Sequence, residues 1–117
     1  MNIILNLTIE RRWFDMIERG EKREEYRSVD NAQVWNACSS VAHGWPAGDY
    51  VMVLRNGYRM DSRSIAVRVI GFSIRLGAVH PEWGEPNYLH YAISFDRIIT
   101  RGTYAEVKET LEKGDGK

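Results

Sequence analysis

Thirteen consecutive residues, RSIAVRVIGFSIR from Arg63 to Arg75, alternate apolar and polar positions and then change parity. Ile65, Val67 and Val69 share one face of an extended chain, whereas Phe72 and Ile74 fall on the other. A strand of this kind keeps its apolar side chains on one face only if a residue is inserted, and Gly71 marks the place for a β-bulge. A bulged strand bends its sheet, so the chain is expected to build a curved sheet.

The flanking segments fit that frame. Asn2 to Thr8 (NIILNLT) is short, aliphatic and β-branched, and predicts a strand buried on both faces. Trp13, Met16 and Ile17 recur at helical spacing, with Thr8 as cap and Gly20 at the position that favours a left-handed backbone. SVDNAQVWNACSS predicts a short helix capped by Ser28 or Asp30, with Val34, Trp35 and Cys38 inward. Pro46 and Gly48 form a turn into the strand DYVMVLR, and Asn56-Gly57 offers a hairpin. After the loop GAVHPEWGEPN comes a last strand, YLHYAISFDRII, and then a helix whose Thr103 and Glu106 have capping-box spacing. The expected fold is α+β: a small β-barrel or strongly curved mixed sheet with two or three flanking helices. A single domain spans residues 1–117, with residues 114–117 expected to fray.

Sixteen basic and sixteen acidic residues cancel, so any attraction to nucleic acid must come from a local patch. No apolar run reaches the roughly 18 residues of a spanning helix, and the N-terminal segment lacks the basic leader of a secretion signal. With one cysteine, Cys38, no internal disulfide is available, and the expected location is the cytoplasm. His43, His80 and His90 are scattered, so neither a metal nor a cofactor is expected.

Three features could carry chemistry. The first is GEKREEYR, Gly20 to Arg27, where six of eight residues are charged. If Gly20 ends a helix and an extended segment follows, Glu25 and Arg27 share a face and Lys22 precedes them. Such a segment is either a solvated connector or the lip of a site. Glu21, Glu24 and Glu25 around Lys22 favour its charged form, which suits phosphate or carbonyl binding, and leave Glu25 as the general base or base-edge acceptor. The second is the stretch from Arg55 to Arg75, with arginines at 55, 59, 63, 68 and 75 against Asp61 alone. It reads as a phosphate-tracking surface, through Arg55 and Arg68 among others, or as a solvated sheet face. The third is a set of aromatics in or beside loops, Trp35, Trp45, Trp83, Tyr88 and Tyr91, of which Trp83 is the one chosen to stack on a base.

Gly20, Lys22, Glu25 and Arg27 resemble the G-x-K-x-x-E-x-R signature of the ASCH domain, a PUA-like family of small β-barrels. The similarity covers roughly residues 2–100. The resemblance implies a cleft beside the motif, lined by Lys22, Glu25 and Arg27, that binds RNA or a modified nucleoside or nucleotide. It also implies an alternative, because some short bacterial relatives are amidohydrolases that deacylate N4-acetylcytidine with the motif lysine, a threonine three residues later and a distant glutamate. Glu25 stands where that threonine would be, and Glu82 or Glu85 would supply the glutamate. A third reading is an accessory domain in which the motif is a structural ion-pair cluster.

Overall fold

Nearly every apolar pattern in the sequence becomes one element of a five-stranded sheet with three helices packed on it. In the computed structural model, which describes residues 3–114, the order is β1 (Ile3–Thr8), α1 (Arg11–Glu18), β2 (Glu24–Ser28), α2 (Ala32–Ala42), β3 (Tyr50–Arg55), β4 (Arg63–Arg75), β5 (His90–Thr103) and α3 (Tyr104–Gly114). Short 3-10 turns lie at Ala47–Asp49 and Pro81–Trp83. The strands are arranged β1-β3-β4-β5-β2, with β1 parallel to β3 and every other pair antiparallel. The fold is α+β, and the sheet is curved and open rather than closed into a barrel. Of residues 114–117, expected to fray, Gly114 instead ends α3, and residues 115–117, like the expected start of the first strand at Asn2, lie outside the described residues.

Alternation along the strands sorts the core into two layers. Met52, Leu54, Ile65 and Val67 meet Phe14 and Ile17 of α1 and Val34 and Ala37 of α2. On the reverse face Val51, Val53 and Ala66 pack under Val107 and Leu111 of α3. Each fully buried aliphatic side chain of this kind contributes about 1.5–3 kcal/mol. No helix among the described residues is long and apolar enough to cross a membrane.

The parity change in β4 is resolved by a bulge. Val69 faces Phe95 and Gly71 faces Ser94, so β4 advances two residues against one on β5. The extra residue, Ile70, is turned to solvent, and Phe72 joins the same core as Val67 and Val69.

Five local expectations are corrected. β1 is not buried on both faces: Leu5 and Leu7 are, but Asn6 is exposed, because β1 is an edge strand. Thr8 stays in β1, and the residue at the N-cap of α1 is Glu10. α2 is capped by Asn31, whose Oδ1 accepts from Val34 N–H at 3.0 Å, and Trp35 faces outward while Val34 and Ala37 face inward. β3 and β4 are joined by residues 56–62 rather than by a two-residue turn at Asn56-Gly57. The capping box at α3 forms as expected, with Glu106 N–H donating to Thr103 Oγ1 and Thr103 N–H to Glu106 Oε1.

Side chains reach the outer edge of β1. Gln33 of α2 accepts from Asn6 N–H at 3.0 Å and donates to Asn6 C=O at 3.3 Å. Arg27 of β2 donates to Thr8 C=O at 2.9 Å, so a side chain spans the gap that a barrel would close with a ladder.

Candidate functional site

Gly20 sets the geometry of the charged stretch. Its φ of 80° lets Gly20 N–H reach Ile17 C=O and Glu21 N–H reach Met16 C=O, a Schellman end to α1. The chain then turns back, and Lys22 runs inward beside the Trp13 and Tyr26 rings, with Nζ 5.5 Å and 4.4 Å from their centroids. Only 1% of Lys22 is exposed. Nζ donates to Trp83 C=O at 2.8 Å and lies 3.4 Å from Glu25 Oε1. Glu25 Oε2 accepts from Arg27 Nη2 at 2.5 Å.

Burial lowers the Lys22 pKa, and Glu25 offsets that only in part. The sequence weighs the neighbouring carboxylates as the stronger influence, but the fold reverses the ranking because Lys22 is removed from water altogether.

The other parity of β2 builds a second network. Glu24 and Tyr26 face Ser94 and Ala92 of β5, and Arg75 faces His90. Arg75 forks onto Glu24 at 2.7 and 2.6 Å and reaches Glu85 Oε2 at 2.9 Å. Tyr26 O–H and Ser94 O–H donate to the same Glu24 carboxylate. Glu85 also accepts from the backbone N–H groups of Val79 and His80, at 2.7 and 2.8 Å. His90, fully buried, sets Nε2 2.6 Å from Glu85 and Nδ1 2.5 Å from Tyr88 C=O. Burial alone would raise the Glu85 pKa, but the His80 amide, Arg75, His90 and the Val79 amide outweigh it and push it down to about 2. Burial and then Glu24 raise the Tyr26 phenol.

Together these contacts pin the loop between β4 and β5 against the motif, and two clefts open beside it. One, of about 270 Å³, is lined by Arg23, Glu24, Ile70, His80, Trp83, Ser94, Phe95 and Asp96. Trp83 and His80 stack there with ring centroids 4.0 Å apart and 18° between planes. The other, of about 490 Å³, lies between the end of α1 and β5.

No protein-family model matches the chain, and no curated protein does.

Lys22, Glu25 and Arg27 come together as the motif spacing suggests, and Trp83 is brought to them through its carbonyl. Arg55 and Arg68 do not join them. Arg55 stacks on Tyr104 at 3.5 Å and donates to the carbonyls of Tyr58 and Arg59 in the β3–β4 connection. Arg68 is bound to Asp96 on the outer sheet surface. Of the two candidate glutamates, Glu82 pairs with His80 on the exposed turn, and Glu85 is committed to Arg75 and His90. Tyr91 is core, Trp35 and Trp45 are exposed, and Tyr88 borders a smaller hollow with Arg27 and Pro86. Glu24, Tyr26 and Arg75 form a unit that the sequence does not announce. The signal for the first two was the alternation that pairs Glu25 with Arg27, read one residue out of step.

Proposed function

We propose that the chain is a nucleotide-binding module of the ASCH type, which takes a base of RNA or of a free nucleotide into the cleft beside Lys22, Glu25 and Arg27. The observation that carries this reading is the make-up of that cleft. Trp83, Phe95 and Ile70 supply apolar wall, while Arg23, Ser94 and Asp96 supply polar groups around the same small volume. A nucleobase has two apolar faces and a hydrogen-bonding edge, and stacking on an aromatic side chain is worth about 1–3 kcal/mol.

In this reading the motif positions the site rather than touching the ligand. Lys22 and Glu25 satisfy each other and hold the Trp83 turn, and their neighbours face the cleft. Titration of the full chain with the four nucleoside 5′-monophosphates and with N4-acetylcytidine, followed by tryptophan fluorescence and melting temperature, tests it. A saturable quench with a raised melting temperature, absent in Trp83→Ala, is expected. Silence across the panel overturns the reading and leaves the motif an ion-pair cluster of purely structural role.

The amidohydrolase alternative is favoured by one observation, the burial that moves Lys22 toward its neutral form. Release of acetate from N4-acetylcytidine, abolished in Lys22→Met, is the outcome that would establish it. No acetate release by the folded wild-type protein removes it.

A further inference from the structure

We propose that the larger cleft, between the end of α1 and β5, is a phosphate-binding subsite, so that the ligand is a single-stranded polynucleotide rather than a free nucleoside. The proposal deepens the nucleotide-binding reading and relies on it for the base.

The chain has no net charge, yet this cleft gathers Arg19, Arg23, Arg97 and Arg101 at its walls against two acids, Glu18 and Asp96. Both acids are already engaged from outside the cleft. Arg63 of β4 binds Glu18, and Arg68 of β4 binds Asp96 at 2.5 Å. Those two arginines belong to the cluster that in sequence looks like a phosphate surface. In the fold they neutralise the acids of the cleft and so release the positive charge of other residues. Among the described residues Arg23 and Arg97 have no ion-pair or side-chain hydrogen-bond partner, and Arg101 has only a 3.8 Å approach to Glu18. Arg19 is held by Glu21, an exposed pair of small worth.

An exposed guanidinium without a protein acceptor presents its fork of N–H donors to an anion, and phosphate oxygens match that fork. At about 490 Å³ the cleft has room for a backbone phosphate with its sugar. What selects a polynucleotide over an acidic peptide is the neighbour. The basic cleft and the aromatic one share Arg23, Phe95 and Asp96 as a common wall, and Phe95 N–H donates to Arg23 C=O at 3.2 Å, fixing the two side by side. A chain that alternates stackable rings with phosphates fills both at once.

The test is fluorescence anisotropy of a 5′-labelled, mixed-sequence RNA of about eight nucleotides, within the usual span of a single-stranded site. It compares the full wild-type chain, the double variant Arg97→Ala/Arg101→Ala, whose two side chains line the basic cleft and not the aromatic one, and Trp83→Ala over a series of salt concentrations. Both arginines are exposed, so the double variant should melt as the wild type does. The expected result is a Kd raised about tenfold or more, with the slope of log Kd against log salt reduced by about 1.4, or about 0.7 for each lost phosphate contact. The same oligomer as DNA should lose the same factor, and free cytidine should bind the double variant as it binds the wild type.

An unchanged Kd and slope in the double variant overturn the proposal. So does polyglutamate that displaces the RNA at equal affinity, since that assigns the cleft to acidic protein. The two readings fail separately. If Trp83→Ala binds RNA normally while the double variant does not, base stacking falls and the phosphate subsite stands. If nucleosides bind but the oligomer binds no more tightly than they do, the subsite falls and the base cleft stands.

Discussion

The Lys22 ammonium donates to the main-chain carbonyl of Trp83 at 2.8 Å, across 61 residues of chain. One lysine thereby fixes where the turn carrying Trp83 sits. Four further consequences are open to measurement.

Lys22→Met keeps the apolar stem but leaves the Trp83 carbonyl without its donor. A buried acceptor left unpaired costs about 1–3 kcal/mol, which urea unfolding resolves. Trp83 fluorescence should shift in the folded state as the turn loosens. A variant as stable as the wild type, with unchanged emission, would show that the turn is held by other contacts.

Arg75→Met removes the shared partner of two buried carboxylates, Glu24 and Glu85. Breaking one side of a buried charge network costs about 3–5 kcal/mol. Arg75→Lys should restore less than half of the loss, since an ammonium cannot fork onto Glu24 and still reach Glu85. Full recovery with lysine would mean that the fork geometry is irrelevant.

Stability should fall in acid in a defined window. Glu85 is depressed from 4.5 to about 2 in the folded state, so its contribution is complete above about pH 4.5 and is lost as the pH drops toward about 2. Urea midpoints measured between about pH 5 and about pH 3 should therefore decline in the wild type and decline less in Glu85→Gln. Equal slopes in the two proteins would assign the acid sensitivity to other carboxylates.

Gly84→Ala should be more damaging than Gly20→Ala, although both glycines have φ near 80° (84° and 80°). A left-handed backbone costs a non-glycine residue about 1–2 kcal/mol at either position. At Gly20 a Cβ meets nothing within 4 Å, but at Gly84 it would lie 2.6 Å from the Trp13 ring. Thermal melts of the two variants separate the conformational term, present in both, from the clash, present in one.

What the sequence makes legible here is what depends on near neighbours. The bulge at Ile70–Gly71 follows from parity, the Schellman end of α1 from Gly20, and the α3 cap from Thr103 and Glu106. The motif assembles for the same reason, as Glu25 and Arg27 are two residues apart on one strand. The arginine cluster is misleading because its partners are distant. Arg63 finds Glu18 45 residues away, Arg68 finds Asp96 28 away and Arg75 finds Glu24 51 away, so charge that looks surplus along the chain is balanced in space. Arg23 and Arg97 are the converse, ordinary surface arginines in sequence that become the unpartnered ones only after the sheet has spent their neighbours on other pairs. The sequence puts Trp35 on the inner side of α2 beside Val34 and Cys38, but Val34 and Ala37 fill that side and Trp35 is left outside.

The Gln33 amide that brackets Asn6 also bears on how these molecules behave toward one another in concentrated solution. An outer strand with free N–H and C=O groups is a template on which a second chain can add and begin an aggregate. Here Asn6 offers neither group, and Thr8 has lent its carbonyl to Arg27, so the middle of this margin is blunted against pairing with a copy of itself. Gln33→Ala would expose it without touching the cleft.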